Sequence, residues 1–519
     1  MQMKHRFGLH TVLLVTLLFS SFNLVCSAQS DRGSLTGVIY DPGGSAIPGS
    51  SVTATNEATG VQTHTVTTGA GDYTVPELPA GNYSLTVEAP GFSKLIRNGI
   101  TVSVNLSVRV DLNVTVGSTL TTVTVTEDAP LLKTESSENN ITVTSADINA
   151  LPLNMAGVGA VRDPLSFAEL APGTTVGGWN DIHINGAPGN TYRIILDGQD
   201  SGSGLNSRVS DESQPSVEAL QEFTLQADSF PPEFGQTTGG IFNYTTKSGA
   251  NKFHGSLYEY FVNEDLNAGL PFTNDGTGHL QRPKSRQNDF GGSFGGPVWI
   301  PKLYDGHEKT FFFFNYEMYR DRVATNNGFR TVPTAAYRNG DLSYLLTGTR
   351  IGTDPLGRPI MNGAIYDPAT TRTVNGQTVR DPFPNNFINP SRFDPVSAKI
   401  LSLIPGPTNG SPTNNYPVIF PANKFQWIPS IKLDHTLTSK IHLAGYYATQ
   451  ATDKDNGGDG LPDPISARRY QVIRSQTVRI NADDVITPSI VLHAGVASSA
   501  TSIRIRHPSP ASISRVHSG

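Results

Sequence analysis

The stretch that decides the fold runs from residue 431 to residue 447 and reads IKLDHTLTSKIHLAGYY. Two segments of alternating apolar and polar residues flank a short connection at Thr438-Ser439. Successive side chains of a strand point to opposite faces, so the alternation predicts a hairpin with one apolar and one polar face. In water the apolar face would pack on a core, and in a membrane it would face lipid.

The connections around this hairpin differ strongly in length. Its own turn is short, whereas a polar, Pro- and Asn-rich stretch occupies residues 326–423. Outer-membrane barrels alternate short periplasmic turns with long outer loops, and a long irregular connection counts against a compact soluble domain. We therefore expect Leu433 and Leu443 to face lipid. Lys432 and His442 would then face the lumen, where replacing either should affect stability little.

The first segment of the chain indicates export. Lys4 and Arg6 precede an apolar run over residues 9–24, and the small residues Ser27 and Ala28 follow it. This is the pattern of a secretory signal peptide, predicted over residues 1–28, and the run is short for a membrane-spanning helix. The alternative of a lipid anchor on Cys26 is disfavoured because Val25 stands where a small residue is expected.

Composition narrows the function further. Cys26 is the only cysteine, so the mature chain is expected to lack cysteine catalysis, Cys-ligated metals and disulfides. The net charge is -6, with scattered Lys and Arg and no basic tract, which makes nucleic acid an improbable partner. No membrane-spanning helix is expected beyond the signal, so any insertion into a membrane must use strands.

Residues 31–116 show the pattern of an antiparallel sandwich. Tyr83, Leu85 and Val87 alternate with polar residues, and a longer alternation from Val102 to Val114 predicts one extended strand. Clusters of Gly, Pro, Asp and Asn between such runs predict tight turns.

The order of these motifs resembles the carboxypeptidase regulatory-like, transthyretin-type domain. They are Gly37-Val38, Asp41, Pro48-Gly49, Val52, Thr59-Gly60, Gly71-Asp72-Tyr73, residues 78–83 (LPAGNY) and Gly91-Phe92. No histidine forms an H-x-x-E or H-E-x-x-H zinc pair, so the resemblance implies a folding or binding module and not a carboxypeptidase.

Residues 119–250 are expected to form a plug domain. The segment Thr122, Val123, Thr124, Val125 and Thr126 resembles the box through which outer-membrane transporters pair with the periplasmic energiser TonB. Strand addition is the physical basis, since β-branched residues keep the segment extended. A final sandwich strand or a linker is an equally good interpretation. Glu127 also departs from the family pattern, because it stands where the family often carries a small residue.

Two strand-and-turn units follow in the same region. The turn pairs Asn185-Gly186 and Asp197-Gly198 each close a short strand. Residues 239–255 (GGIFNYTTKSGANKFHG) resemble the junction between plug and barrel in Oar-like TonB-dependent receptors, and this is the most specific motif of the chain. The resemblance implies an outer-membrane receptor.

Catalytic and metal sites are weakly supported. Asp197 and Asp200 lie in a Gly-rich turn without a third ligand or a base at a recognisable spacing, so turn chemistry explains them better. Ser201 and Ser203 lack the G-x-S-x-G elbow of serine hydrolases. Residues 453–459 are rich in Asp but lack the glutamate that closes an EF-hand loop. We expect no enzyme activity, no metal and no cofactor.

Together these patterns predict a mainly β protein in the outer membrane. A transthyretin-like β-sandwich (residues 31–116) precedes an α+β plug (119–250) and the first strands of an incomplete transmembrane β-barrel (252–519). Complete transporters of this class have about 22 strands, and no aromatic residue follows Tyr470, so a truncated or frame-shifted reading frame is expected.

The resemblance implies a TonB-dependent receptor or transporter for a bulky ligand, such as a carbohydrate or a peptide, with the TonB complex and outer-membrane lipid as partners. The fragment alone is expected to transport nothing. The alternative is a surface or periplasmic adhesin that binds carbohydrate or protein through its sandwich, and a secreted hydrolase is a weaker third class.

Overall fold

The structure is a computed structural model that describes residues 31–117, 122–125, 139–150, 164–177, 181–189, 191–202, 214–229, 237–266, 268–269, 278–280, 282, 284–456 and 458–506. The predicted signal segment lies outside these residues. Three β-rich units follow one another along the described chain, which confirms the predicted fold class. Within the described residues, no helix is long and apolar enough to cross a membrane.

The first unit is a sandwich of two sheets. Its strands are β1 Gly33–Tyr40, β2 Ser51–Asn56, β3 Gln62–Val66, β4 Asp72–Leu78, β5 Gly81–Glu88, β6 Lys94–Val102, β7 Ser107–Arg109, β8 Leu112–Asn113 and β9 Thr122–Val125. One sheet has the order β4-β1-β7, with β8 also pairing with β1, and the other has the order β3-β2-β5-β6-β9. Alternate side chains of both sheets form one buried apolar cluster, so this unit has a core of its own.

The prediction of one extended strand from Val102 to Val114 is wrong. Strand β6 ends at Val102, and Asn105 takes a φ of 56°, a left-handed conformation that Asn tolerates better than most residues. The chain there leaves one sheet and continues in the other, where β7 runs parallel to β1. The alternation of burial nevertheless persists, because Val104, Leu106 and Val110 all lie in the buried interior.

The second unit is a mixed sheet with short helices. Its strands are β10 Asn139–Thr144, β11 Thr174–Gly177, β12 Asp181–Ile184, β13 Arg193–Leu196, β14 Gln199–Asp200, β15 Leu220–Asp228 and β16 Ile241–Thr246, with helix α1 Ser145–Ala150 and 3₁₀ turns Pro164–Leu170 and Val217–Ala219. The main sheet has the order β10-β15-β16-β13-β14, and β13 runs parallel to β16. Phe223, Phe242 and Tyr244 pack their rings at its centre.

The third unit is an eight-stranded antiparallel sheet in the described chain. Its path is β17-β18-β21-β27-β28-β29-β30, and β26 pairs with the upper part of β21. The strands are β17 His254–Val262, β18 Ser285–Pro297, β21 Thr310–Arg330, β26 Tyr416–Pro421, β27 Lys424–Thr436, β28 Ile441–Asn456, β29 Arg469–Thr487 and β30 Ile490–Arg506, with the small hairpin β19 Trp299–Ile300 and β20 Tyr304–Asp305. We call this sheet the wall; it does not close into a barrel.

The wall has one apolar, exposed face and one polar, buried face. In the quoted hairpin, Leu433 is 49% exposed and Leu443 38% exposed, whereas Lys432 is only 7% exposed. Strand β29 repeats this inversion, with Val478 and Ile480 exposed and Arg479 buried. Apolar side chains outside and polar side chains inside are the pattern of a sheet that faces lipid on one side.

The long connection between β21 and β26 is more regular than predicted. It contains the hairpins β22 Arg350–Thr353 with β23 Pro359–Met361 and β24 Tyr366–Val374 with β25 Gln377–Pro382, helices α2 Ala335–Arg338 and α3 Pro395–Leu403, and 3₁₀ turns Ser343–Leu345, Pro384–Asn386 and Pro390–Arg392. Side-chain contacts replace a large apolar core here: Arg338 donates to the carbonyls of Leu401 and Ile404. The expectation of an irregular stretch is therefore wrong for this segment.

Candidate functional site

The candidate site is the buried polar contact between the wall and the second unit, which we call the plug after the domain predicted for residues 119–250, and it starts at the β13–β14 hairpin. Asp197 has a φ of 45° and Gly198 of 73°, the two positive values that a two-residue type I′ turn needs. The turn directs the buried Asp197 carboxylate toward β16. It accepts hydrogen bonds from the Thr246 backbone N at 2.9 Å and from Thr246 Oγ1 at 2.7 Å.

Lys432 of the wall completes this contact. Its Nζ lies 3.4 Å from Asp197 Oδ1 and donates to the Thr246 carbonyl at 3.1 Å. Both side chains are at least nine-tenths buried. The sequence alone predicts that replacing Lys432 affects stability little; this contact predicts a larger effect, because removing its ammonium would leave a buried carboxylate without its counter-charge.

A second wall strand holds the same plug hairpin. Asn481 Nδ2 donates to the Asp197 carbonyl at 2.8 Å, and Arg479 Nη1 donates to the Gln199 carbonyl at 3.0 Å. Gln199 and Asn481 also contact each other through their side-chain amides. Strands β27 and β29 thus bind one plug turn from two positions; we call these contacts the hairpin latch.

A further polar cluster joins the segment before β15 of the plug to β17 and β21. Ser216 Oγ donates to Glu317 Oε2 at 2.5 Å, and Tyr258 donates to the same oxygen at 3.1 Å. Glu218 accepts from Ser256 Oγ at 2.8 Å and lies 3.3 Å from the Lys247 ammonium. The plug is therefore attached to the wall on both sides of β16, at the end of the sheet where Leu220 pairs with Thr246, by hydrogen bonds and the Lys432–Asp197 ion pair.

The sandwich docks against both other units. Val104 N donates to Glu222 of the plug at 3.0 Å, and Asn251 N donates to the Ala58 carbonyl at 3.0 Å. Arg32 Nη2 lies 2.9 Å from Asp483 of β29. A cavity of about 730 Å³ lies where the three units meet, with Lys432 among its lining residues.

Two clusters of side chains in the described chain have the composition of a cation site. Glu77, Asp483 and His493 each bring one ligand atom within 4.8 Å of the others. The Arg32 guanidinium already supplies a positive charge to Asp483, which compensates this cluster within the chain. In the Asp-rich stretch of residues 453–459, residues 453–456 lie in strand β28, and the buried Asp459 accepts from two backbone N–H groups, those of Leu461 and Ala467.

The predicted TonB box lies at the edge of the sandwich. Strand β9 pairs in parallel with β6, so that Val123 is opposite Leu95 and packs against the sandwich core. Thr126 lies outside the described residues. Asn185 (φ 50°) and Gly186 (φ 77°) form a turn after β12, and the Asn185 amide donates to the Ala227 carbonyl at 2.9 Å. Of the four predicted turn residues, Asp197 belongs to the latch itself.

Comparisons with known proteins agree with this architecture. A family model described as an outer membrane beta barrel domain matches residues 245–514, and a carboxypeptidase regulatory-like domain model matches residues 34–116. The TonB-dependent transporter Oar of Myxococcus xanthus is 29% identical over 260 residues, which are 49% of this chain and 24% of that protein.

Solved outer-membrane proteins show a looser likeness. The outer membrane transporter YddB of Escherichia coli aligns with a TM-score of 0.41 and 12% identity, covering 71% of this chain and 39% of that one. A variant of the ferric enterobactin receptor PfeA of Pseudomonas aeruginosa aligns with a TM-score of 0.32 and 13% identity, covering 71% and 49%. The chain thus spans less than half the length of each of these relatives.

Since the barrel model matches more than half of the chain, the protein belongs to the outer membrane beta barrel domain family, and it is an outer-membrane homologue of the Oar-like TonB-dependent transporters with a carboxypeptidase regulatory-like domain ahead of its barrel domain.

Proposed function

We propose that the complete protein is a TonB-dependent transporter whose plug gates the passage of a bulky ligand, such as a carbohydrate or a peptide, through the barrel. The observation that carries the proposal is the hairpin latch, because it attaches a separately folded sheet to the inner face of the wall. The transporter activity named for the relative Oar supports the same reading.

The chemistry of the contact suits a part that must move. The wall meets the plug through polar residues such as Lys432, Asn481 and Glu317, which can be rehydrated when they separate, and Tyr446 and Ala448 of β28 add a small apolar contact with the plug core. A polar contact exchanges its hydrogen bonds with water at a small net cost, whereas an apolar contact would expose its surface. The hairpin latch therefore keeps the plug bound to the wall at rest and can separate when a force is applied to the plug.

TonB is the proposed source of that pull, as it is the partner of TonB-dependent receptors in general. The segment from Thr122 to Thr126 is β-branched and its residues Thr122–Val125 form an extended strand, as strand addition to a partner's sheet requires. In a complete transporter, this part of the sequence would supply the TonB-binding segment, the plug and part of the wall. Transport itself would require a closed barrel.

A binding experiment tests the partner. In the purified chain, Val123→Pro should abolish binding of the purified TonB C-terminal domain, because proline removes a backbone donor and disrupts strand pairing. Val123→Ile keeps the β-branched side chain and is the matched control. Equal binding by the proline variant, or none by the parent, would assign the segment to the sandwich alone.

The adhesin alternative receives less support from the wall. It requires Leu433 and Leu443 to be buried in protein, whereas both are exposed beside buried polar neighbours. An adhesin would also leave the plug without a moving role. Recovery of the protein from the soluble periplasm instead of the membrane fraction would favour the adhesin.

A further inference from the structure

Strand β9 is an addition to the regulatory-like domain. The match to that domain ends at residue 116, whereas β9 begins at Thr122 and extends the sheet beyond β6. The register joins Lys94 to Thr122 and Arg97 to Val125 without a break. The segment predicted to bind TonB is thus already paired with a strand of its own chain.

The pairing uses the side chains of the segment as well as its backbone. Val123 is partly buried and contacts the sandwich core, while Thr122 and Thr124 on either side of it are exposed. Strand addition draws affinity from backbone hydrogen bonds and specificity from pockets for alternate side chains. A partner that adds to the outer edge of β9 would gain backbone bonds, but Val123 would remain in the sandwich.

We propose that the sandwich sequesters this segment, so that β6 and a strand of TonB compete for it and TonB binds only after β9 has left the sandwich. The idea rests on the proposed function above. The carboxypeptidase regulatory-like domain then inhibits TonB binding by holding residues 122–125 in its own sheet, an arrangement that we call the clamp.

The dimensions of the pair suit a reversible clamp. Only four residues are paired, the pairing is parallel, and β9 lies at the edge of its sheet in the described chain. Parallel pairs are slightly less stable per residue than antiparallel pairs, and short edge elements open at low free energy. The clamp therefore opens spontaneously in a small fraction of molecules, and TonB captures those.

A disulfide lock tests the proposal. Ile96 lies opposite Thr124, and neighbouring strands are about 4.8 Å apart, within the Cα range that disulfides span. The double variant Ile96→Cys/Thr124→Cys is made in the whole chain with Cys26→Ser, so that no other thiol competes. The matched control carries Ile96→Ser/Thr124→Ser.

The readout is affinity for the purified TonB C-terminal domain before and after reduction. The oxidised form should bind at least tenfold more weakly than the reduced form, and the serine control should not respond to reductant. Equal binding by both forms would show addition to the outer edge and overturn the clamp. Failure of the two cysteines to cross-link in the folded chain would overturn it as well.

A synthetic peptide of residues 118–130 separates this proposal from the proposed function. If the peptide binds TonB while the oxidised chain does not, both proposals stand. If the peptide does not bind, the TonB assignment fails, and hydrogen exchange then tests the pairing: those amides of residues 122–125 that face β6 should exchange at least tenfold more slowly in the chain than in the peptide. Equal exchange rates in the chain and the peptide would contradict the proposed clamp.

Discussion

Replacing Lys432 by methionine should loosen the plug measurably. The substitution keeps the length of the side chain but removes the ammonium that lies 3.4 Å from Asp197 and 3.1 Å from the Thr246 carbonyl. Removing one partner of a buried pair costs about 3–5 kcal/mol, since the remaining charge stays buried. Asp197 keeps its two hydrogen bonds from Thr246, so we expect the lower end, about 3 kcal/mol.

Hydrogen exchange at the Thr246 amide measures this loss, because that amide donates to the Asp197 carboxylate. With a tenfold change for every 1.4 kcal/mol, a loss of about 3 kcal/mol should accelerate exchange about a hundredfold. The double variant Asp197→Asn/Lys432→Met removes both charges and should recover a large part of the loss. An unchanged rate in Lys432→Met, or a double variant that shows the full sum of the single effects, would refute the latch.

Three further predictions concern other parts of the molecule. Leu433→Arg should destabilise the membrane-inserted protein by about 2–4 kcal/mol if the site lies near the bilayer midplane, while Leu433→Ala should cost much less; urea unfolding in lipid would measure both, and equal costs would contradict a lipid-facing position. Residues 31–116 expressed alone should show one cooperative β-type unfolding transition, because their apolar cluster is self-contained, and a disordered spectrum would contradict this. Arg372 and Arg358 hold the pKa of Asp381 below its ordinary value, so their stabilisation of the β24–β25 hairpin is complete above that ordinary value and is lost as the pH falls through the lowered pKa. Amide exchange in the hairpin should follow this acid loss in the parent and lack it in Asp381→Asn; identical pH profiles would refute the ion pairs.

Local patterns in the sequence predicted the elements that depend on near neighbours. Alternation with a period of two predicted the hairpin of β27 and β28, because burial of one face is imposed residue by residue along a strand. The Asp197-Gly198 pair predicted its turn because few residues adopt positive φ values at two consecutive positions. The predicted strand from Val102 to Val114 failed for a related reason, since alternation survives a change of sheet at Asn105 and does not reveal it.

The latch could not be predicted from the same patterns. Lys432 and Asp197 are 235 residues apart, and no period in the sequence links an inward wall position to a particular plug turn. The only signal was that Lys432 occupies a polar position between the outward-facing Ile431 and Leu433, which predicts a lumen-facing side chain but not its partner. The pairing of Thr122 to Val125 with β6 was likewise one of two open interpretations, because β-branched residues suit either use.

The distance along the chain between Asp197 and Lys432, 235 residues, also constrains the order in which the protein can be assembled. A plug that formed its sheet as soon as its own residues had been exported would present Asp197 before its counter-charge arrives with β27, and the amide of Asn481 arrives later still, with β29. Docking before Lys432 is in place would bury an uncompensated carboxylate, which is electrostatically costly. Final docking of the plug must therefore wait for the wall strands, which makes it a late event in biogenesis with a high contact order. During that interval the early-folding sandwich is the part of the chain with a complete core, and it can remain stable in the periplasm while the rest is inserted.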